Sequence, residues 1–341
     1  MKIKTILIGC GKAWLLHELD PLRGKPASLI GGLLKYKDYF ELVGAVDLEF
    51  ERAEKINEFF SEAETFTDYK LALDKLKPDV VIIAAWTATH KKIFNYCLNY
   101  GVKGIILEKP VGISLKEAKG MLRNWKKKKI PVVVNHERRW EPRYVFMKEI
   151  IDSKELGPLR TVYGKVLLGA VPAKYEQLVF DIEGGGTLLH DGTHLIDLIN
   201  FYFKRIKIKD AHINMGIVID KTSNLILLAD NKIPIHIEVG GQRGYFEFSL
   251  TFEFAYGVIK VGNGIFEWHE AEKSSLYSGY RDLKRKDFPH KRLKKYKTTG
   301  FSGPFYEIKK AFENNTYETE SSLKDGVKAM RIIDKILRFK N

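Results

Sequence analysis

The chain has little cysteine, no long apolar run and a shortage of acidic residues. Its 341 residues include two cysteines, Cys10 and Cys97, which cannot build a disulfide framework and therefore suit a reducing compartment. No apolar run reaches the roughly 18 residues of a transmembrane helix. The start of the chain mimics a signal peptide, but glycines follow it and no small-residue cleavage site does. We therefore expect a cytoplasmic protein with no membrane partner.

Basic residues outnumber acidic ones: the chain has 57 Lys and Arg and 43 Asp and Glu, which gives a formal net charge of +14. Such an excess suits a nucleic acid, an acidic membrane surface or an anionic substrate. The sequence has no recognition-helix pattern, zinc-finger spacing or RNA-binding aromatic motif, so we expect no nucleic-acid partner. A hydrophobic fraction of 45% excludes a wholly disordered chain. The length favours two domains of roughly 100–200 residues each.

Residues 1–135 alternate strand and helix patterns. The predicted strands are rich in Val and Ile and lack a polar face, which is typical of a parallel sheet covered on both sides. They lie at Ile3–Ile8, Glu41–Val46, Asp79–Ala85, Gly104–Leu107 and Ile130–Val134, with helices at Glu51–Phe60, Thr89–Tyr100 and Leu115–Trp125. This alternation predicts an α/β domain of Rossmann type with a doubly wound sheet.

Residues 136–341 have a different texture. One strand is predicted from alternating apolar residues, namely Phe246, Phe248, Leu250, Phe252, Phe254 and Tyr256. Gly262–Gly264 predicts a hairpin turn. Further strands are expected at Arg160–Gly169, Ile206–Ile219, Leu225–Leu228 and Ile233–Val239, and a closing helix at Ser322–Phe339. We expect a largely antiparallel sheet with few helices.

A glycine-rich turn follows the first strand, with the sequence Gly9-Cys10-Gly11-Lys12-Ala13. Glycines at this place let the backbone approach a pyrophosphate, and the next helix offers unpaired N–H groups. Trp14 replaces the third glycine of the dinucleotide fingerprint, so these residues alone also fit an ordinary turn.

Asp47 ends the second strand, where a carboxylate would accept hydrogen bonds from a ribose diol. It precedes Leu48 and Glu49 rather than an arginine, which favours NAD over NADP as the cofactor. The other interpretation of Asp47 is a turn residue at a strand end. Its distance from Gly11 exceeds the usual ~20 residues because of a turn-rich insertion, Asp20–Pro26, which we expect over the cofactor.

Two further segments carry candidate chemistry. Glu108-Lys109-Pro110 closes the fifth strand, so Lys109 should point into the cofactor cleft and act as a base or polarise a substrate oxygen; the alternative is an ordinary surface lysine. A second segment, from Gly184 to Asp197, predicts a helix with His190, His194 and Asp197 on one face. Its polar residues could be satisfied inside a core, hold a metal, or act in acid–base catalysis. No third metal ligand is evident, so we expect no metal.

These motifs together resemble the glucose–fructose oxidoreductase, inositol dehydrogenase and MocA (GFO/IDH/MocA) family. The resemblance rests on the glycine turn, Asp47, Glu108–Pro110, Arg138-Arg139 and residues 184–197. It implies a Rossmann domain at 1–135 and an α/β domain at 136–341 with an open, mostly antiparallel sheet, and the last helix is expected to pack back toward the Rossmann domain. It also implies NAD(P)-dependent oxidation of a hydroxyl on a sugar, cyclitol or polyol, and a homodimer or homotetramer formed through that sheet.

The resemblance assigns site residues by position. Lys109 matches the family lysine and His194 the family histidine, so His194 is expected to take the hydroxyl proton while Lys109 polarises the oxygen. The family has Asp four residues before that histidine, whereas this chain has His190 and then Asp191. Which of these two completes the site is open. Residues expected along the cofactor are Ala85, Trp86, Thr87, His90, Glu108 and Lys109, with Trp86 in place of the usual proline.

Two other functions compete with a dehydrogenase: a nucleotide-binding sensor without turnover, and a metal-dependent hydrolase or lyase. The densest basic run, Lys284–Lys297, also has two interpretations. It is a solvated loop, or some of its side chains bind a phosphate or carboxylate of the substrate.

Overall fold

The computed structural model describes residues 2–11, 17–169, 186–215 and 220–339. The chain forms two compact units, residues 1–140 with 298–330, and residues 141–297 with 331–341. The first unit therefore extends beyond the predicted boundary at residue 135, and it also includes the later residues 298–330. Within the described residues, no helix combines the length and the apolar character needed to span a membrane.

The first unit contains a six-stranded parallel sheet. Its strands are β1 (Ile3–Ile8), β2 (Phe40–Val46), β3 (Glu64–Phe66), β4 (Val80–Ile83), β5 (Gly104–Leu107) and β6 (Val132–Val134). Their order is β3-β2-β1-β4-β5-β6, as in a doubly wound Rossmann sheet. Every residue of β4 and β5 is buried, which explains their uniformly apolar sequences. The predicted Rossmann fold is confirmed.

Helices connect these strands, and those that follow β4 and β5 lie where the sequence predicts them, whereas the helices that follow β1 and β3 were not predicted. They are α1 (Leu29–Lys35), α2 (Phe50–Glu54), α3 (Tyr69–Leu76), α4 (Thr87–Tyr100) and α5 (Leu115–Lys128). The single helix expected over Glu51–Phe60 is wrong in form, since α2 is short and passes into a 3₁₀ turn at Lys55–Glu58.

The returning stretch, residues 298–330, contains a 3₁₀ turn (Gly300–Ser302), a helix that we number α10 (Gly303–Glu313) and the start of α11 (Leu323–Leu337). It is joined to the edge of the sheet at β6. The backbone N–H of Val134 donates to the Ser321 carbonyl at 2.7 Å, and the Ser321 hydroxyl donates to the Val134 carbonyl at 2.7 Å. Arg139, which is buried, donates to the Glu320 carbonyl at 2.6 Å. These hydrogen bonds join residues far apart in the chain and leave no periodic pattern of apolar residues, so the sequence does not predict them.

The second unit contains an eight-stranded, mostly antiparallel sheet, as expected. Its strands are β7 (Leu159–Gly169), β8 (Ile206–Met215), β9 (Asp220–Ala229), β10 (Ile233–Arg243), β11 (Glu247–Phe254), β12 (Gly257–Gly262), β13 (Ile265–Lys273) and β14 (Arg281–Lys286). They follow the order β14-β13-β12-β11-β7-β10-β9-β8, and only the β7–β10 pair is parallel. The described helices that lie wholly within this unit are α6 (Pro142–Ser153), α7 (Gly186–His190), α8 (Gly192–Tyr202) and α9 (His290–Leu293).

One face of this sheet carries the core. The alternating residues Phe248, Leu250, Phe252 and Phe254 are buried, whereas Phe246 and Tyr256 are exposed because they lie beyond the ends of β11. Helix α8 lies on this face, since a Cβ built on Gly164 of β7 would approach Leu195 to 3.0 Å. Gly164 thus allows the helix to pack closely against the sheet.

Candidate active site

The turn after β1 packs against the loop after β4. Gly9 has φ +97°, and a Cβ built on it would lie 2.4 Å from the backbone nitrogen of Ala85. Only glycine fits such a conformation and such a close approach. Among the described residues, a Cβ on Gly11 would meet nothing within 4 Å, and Gly11 lines a cavity on that side of the turn. The other two predicted residues of this turn, Lys12 and Ala13, lie outside the described residues.

Asp47 is fixed by backbone donors from two segments. The N–H of Cys10 donates to one carboxylate oxygen at 2.7 Å, and the N–H of Glu49 donates to the other at 3.0 Å. Each oxygen keeps a second lone pair, so the carboxylate can still accept the two hydroxyls of a ribose. Cys10 itself is buried, and burial raises the pKa of its thiol to about 12. The thiol is therefore protonated, and Cys10 contributes to the site through its backbone N–H, which binds Asp47.

A cavity of about 520 Å³ lies at the carboxyl ends of β1, β2 and β4. Its lining includes five of the predicted residues, namely Gly9, Gly11, Asp47, Ala85 and Trp86. It also includes residues that the sequence analysis did not assign to the cofactor site, among them Arg52, Thr67, Tyr69, Thr89 and Lys92. Arg52 lies one helical turn after Glu49, a spacing that could have indicated it.

The residues of this cavity fit the adenosine half of a dinucleotide. The walls are mainly apolar, a fixed carboxylate stands at the end of β2, and the glycine turn leaves open space beside Gly11. A base needs apolar walls, a ribose needs the carboxylate, and a pyrophosphate needs backbone without side chains. The predicted insertion Asp20–Pro26 supplies none of the described lining residues. Lys25 instead holds that loop together by donating to the Asp20 carbonyl at 2.9 Å.

His90 lies buried between two loops. One ring nitrogen is 3.0 Å from the Pro110 carbonyl and the other is 2.9 Å from the Ala85 carbonyl. Burial lowers the pKa of His90 and outweighs these carbonyl contacts, which raise it. The ring therefore links the loops after β4 and β5. This contact positions Ala85 beside the cavity, and Thr87 begins the helix that carries His90.

Glu108 and Lys109 follow β5 directly, as predicted. The Asn135 amide donates to one Glu108 oxygen at 2.7 Å and the Lys109 N–H to the other at 3.1 Å. Burial raises the pKa of Glu108 to about 7, against the lowering effect of Asn135 and Lys109. The carboxyl beside Lys109 therefore changes charge near neutral pH. This places a titrating group next to the proposed catalytic lysine.

The second candidate cluster departs from its predicted form. The helix expected through His190, His194 and Asp197 is interrupted at Asp191, so that interpretation is wrong: α7 ends at His190 and α8 begins at Gly192. An Asp-Gly pair favours a turn, and Gly192 has little room for a side chain because its Cβ would lie 3.1 Å from Leu188. Gly184 and Gly185 lie outside the described residues.

The interruption pairs His190 with its neighbour. The Nδ1 atom of His190 is 3.1 Å from a carboxylate oxygen of Asp191, and both side chains are partly exposed. His194 and Asp197 are buried within α8. Among the described residues, no group of three or more His, Cys, Asp or Glu side chains is arranged to hold a metal ion.

The basic run Lys284–Lys297 is not a single loop. Its first residues belong to the edge strand β14, where Lys286 pairs with Glu272. Arg292 binds both oxygens of Glu155 at 2.7 and 2.8 Å, and its guanidinium lies 4.6 Å from the centre of the Phe146 ring. Much of this charge therefore fastens the segment to helix α6.

Glu149 of α6 supports a prediction about stability and pH. Hydrogen bonds from Lys295 and Tyr296 lower the pKa of Glu149, so its contribution is present above the unfolded pKa and is lost as pH falls through the folded one. We expect Glu149→Gln to lower the free energy of unfolding by about 1 kcal/mol at pH 7, with the difference shrinking towards pH 3. Urea unfolding at both pH values measures this. Asp152→Asn, which removes an exposed pair on the same helix, is the control and should change little. An equal loss in both variants, or a loss independent of pH, would contradict the assignment.

Comparison with known proteins agrees with this geometry. Residues 3–136 match the profile of GFO_IDH_MocA, described as an oxidoreductase family with an NAD-binding Rossmann fold. The chain is 24% identical to inositol 2-dehydrogenase of Salmonella typhimurium over 269 residues, which cover 72% of this chain and 74% of that protein. It is 30% identical to scyllo-inositol 2-dehydrogenase (NAD(+)) of Bacillus subtilis over 203 residues, or 59% and 54% of the two chains.

Solved structures show the same fold at lower identity. The WlbA dehydrogenase from Bordetella pertussis, in complex with NADH and UDP-GlcNAcA, has a TM-score of 0.79 and 18% identity, and the match covers 99% of this chain and 95% of that one. KijD10, a 3-ketoreductase from Actinomadura kijaniata in complex with TDP-benzene and NADP, has a TM-score of 0.76 and 14% identity, with 99% and 98% covered. The likeness extends over both units.

Proposed function

We propose that this chain, whose residues 3–136 match the GFO/IDH/MocA oxidoreductase family with its NAD-binding Rossmann fold, oxidises a secondary hydroxyl of a sugar, cyclitol or related polyol. One observation carries the proposal: the cavity that brings Gly9, Gly11 and Asp47 together lies in the segment that matches the family. Its relatives named as inositol dehydrogenases support a polyol as the substrate. NAD is the proposed cofactor and NADP the alternative.

A bound nicotinamide dinucleotide would supply the acceptor for the hydride that leaves the carbon carrying the hydroxyl. Residues of this chain supply the rest. Asp47 and the glycine turn hold the adenosine half, and Trp86 and Ala85 form the wall after β4. Lys109 polarises the substrate oxygen, and His194 accepts the hydroxyl proton as the carbonyl forms. Asp191 holds the Nδ1 side of His190, which leaves the other ring nitrogen as a second candidate proton acceptor.

A substrate panel tests the proposal. Purified protein is incubated with NAD or NADP and with polyols, free sugars and nucleotide-linked sugars, and formation of the reduced nicotinamide is followed by absorbance. Turnover with a member of the panel supports the dehydrogenase. Binding of NAD without turnover across the panel would instead support the nucleotide-binding sensor. Activity that follows added zinc and needs no dinucleotide would support the hydrolase or lyase.

Nucleotide-linked sugars belong in the panel because WlbA is described with UDP-GlcNAcA and this chain is strongly basic. If the substrate is anionic, exposed lysines of the basic run such as Lys291 and Lys294 are candidates to bind it, since Arg292 and Lys295 already contact glutamates. Neutralising the two exposed lysines should then raise KM for an anionic substrate and leave KM for a neutral polyol unchanged. An unchanged KM for both would make the segment structural only.

We also propose self-association through the face of the second unit's sheet that no described helix covers. Tyr163 and Ile226 are 42% and 39% exposed there, and the Tyr163 ring stacks on His236 with centroids 5.2 Å apart. These residues line a shallow cavity of about 320 Å³ on the sheet. A partly apolar sheet face of this kind suits a second copy of the chain as its cover.

Replacing Tyr163 and Ile226 together by glutamate should weaken this association by about 30-fold or more, because apolar anchors are replaced by charge at the centre of the interface. Light scattering across a dilution series measures the mass. Tyr277→Glu changes an exposed tyrosine in the turn between β13 and β14 and is the control. A double variant that keeps the wild-type mass, with an unchanged circular dichroism spectrum, would rule out this face.

A further inference from the structure

We propose that Arg52 is a binding group for a 2′-phosphate and that Glu49 suppresses it, so that Glu49 sets the preference of this protein for NAD over NADP. The inference rests on the proposed function only in taking the cavity beside Asp47 as the adenosine site. It concerns two residues that the glycine turn and the catalytic candidates do not involve.

The first argument is position. Asp47, Glu49 and Arg52 all line the cavity at the end of β2. Asp47 marks the ribose end of that cavity, because a carboxylate at the end of the second strand is the group that accepts the ribose hydroxyls. The N–H groups of Cys10 and Glu49 hold this carboxylate in place. The 2′-position of the adenosine ribose is where NAD and NADP differ. Side chains that share this end with Asp47 are therefore the ones that a 2′-phosphate would meet.

The second argument is the pairing of Arg52. Its Nη2 atom is 2.8 Å from a carboxylate oxygen of Glu49, one turn earlier at the start of α2. A guanidinium binds phosphate well because its donors form a planar fork. Here that fork faces a carboxylate of its own chain, and about half of each side chain is exposed to solvent. An exposed pair of this kind is worth only ~0–1 kcal/mol, so removal of Glu49 frees Arg52 at little structural cost.

The third argument is the charge around the site. Two carboxylates, Asp47 and Glu49, and two cations, Arg52 and Lys92, line the cavity. A phosphate dianion entering this end is repelled by both carboxylates, whereas a ribose hydroxyl donates to Asp47. Loss of the Glu49 charge would leave the two cations opposed by Asp47 alone. The residual preference for NAD then comes from Asp47.

Binding measured without turnover tests the inference. Isothermal titration gives Kd values for NAD, NADP, 5′-AMP and 2′,5′-ADP with wild type, Glu49→Gln, and Glu49→Gln combined with Arg52→Gln. We expect Glu49→Gln to tighten NADP and 2′,5′-ADP by about tenfold, and NAD and 5′-AMP to change by less than about threefold. The double variant should lose this gain. Glu64→Gln removes the exposed pair with Lys75 elsewhere on the same unit and should shift neither ratio.

The outcomes separate the two proposals. An unchanged ratio of NADP to NAD affinity in Glu49→Gln, or a gain that persists without Arg52, overturns the inference and leaves the dehydrogenase intact. A wild type that binds neither dinucleotide overturns both. Binding of NAD without turnover leaves the inference standing and removes only the catalytic proposal. Thermal unfolding of each variant shows that altered affinity does not come from misfolding.

Discussion

Lys109→Ala is expected to lower kcat by about 10²- to 10⁴-fold while NAD still binds, because the proposed mechanism places Lys109 on the substrate oxygen and because Lys109 does not line the cavity proposed for the adenosine half. Lys109 follows β5 directly, and its N–H is fixed on the Glu108 carboxylate at 3.1 Å. Loss of the ammonium group removes the positive charge that stabilises oxygen as its proton leaves. Steady-state kinetics with the best substrate of the panel, together with titration of NAD, measure both effects.

Lys103→Ala is the matched control. Lys103 lies shortly before β5 in the same unit and pairs with Asp79 at 2.7 Å on the surface. Its replacement should leave kcat and KM close to wild type. Near-wild-type turnover in Lys109→Ala would remove Lys109 from the chemistry, and equal losses in both lysine variants would point to a general effect of charge.

Gly9→Ala is expected to destabilise the first unit and to abolish NAD binding. The positive φ of Gly9 costs an L-residue about 1–3 kcal/mol in strained backbone. A methyl group would also overlap the Ala85 backbone nitrogen, which lies 2.4 Å from the Cβ position. The loop after β4 must then move, and it forms part of the cavity wall. Thermal unfolding and NAD titration measure the two losses.

Gly11→Ala separates binding from folding. A Cβ at Gly11 meets nothing within 4 Å, so the variant should unfold like wild type. Because Gly11 lines the cavity, the methyl group stands where the phosphates approach the backbone, and NAD affinity should fall by about tenfold or more. Full NAD affinity in Gly11→Ala would place the pyrophosphate elsewhere, and an unchanged melting temperature in Gly9→Ala would contradict the packing of the turn.

The sequence predicted the Rossmann unit well because buried parallel strands have an unmistakable composition. Val80–Ile83 and Gly104–Leu107 are apolar at every position but one glycine, and both strands are fully buried. From these strands we placed Gly9 and Gly11 in the turn after β1 and Asp47 at the end of β2, and all three line the cavity. Strand β3 was not predicted, because its three residues, Glu64–Phe66, are too few to show a periodic pattern.

The parts that the sequence did not predict depend on contacts distant in the chain or on local breaks. Helix α7 stops at His190 because of the Asp-Gly turn, although the residues on both sides have helical spacing. Arg52 lies in the short helix α2 and lines the cavity beside Asp47, a role that the sequence analysis did not assign to it. The basic run was interpreted either as a solvated loop or as a segment that binds substrate, yet two of its cations contact Glu149 and Glu155, which lie more than 130 positions earlier, and no local pattern indicates these contacts.

Because residues 298–330 belong to the first unit, this unit cannot be completed until late in the synthesis of the chain, and a simple N-terminal fragment does not contain all of it. Residues 141–297 of the second unit separate two segments of the first, and residues 331–341 belong to the second unit again, so both units are discontinuous in the chain. During synthesis, β6 emerges long before Ser321, the residue that completes its hydrogen bonds at the sheet edge. A fragment ending near residue 135 would leave that edge open to other chains. A self-sufficient nucleotide-binding fragment requires residue 140 to be joined to residue 298 by a short linker.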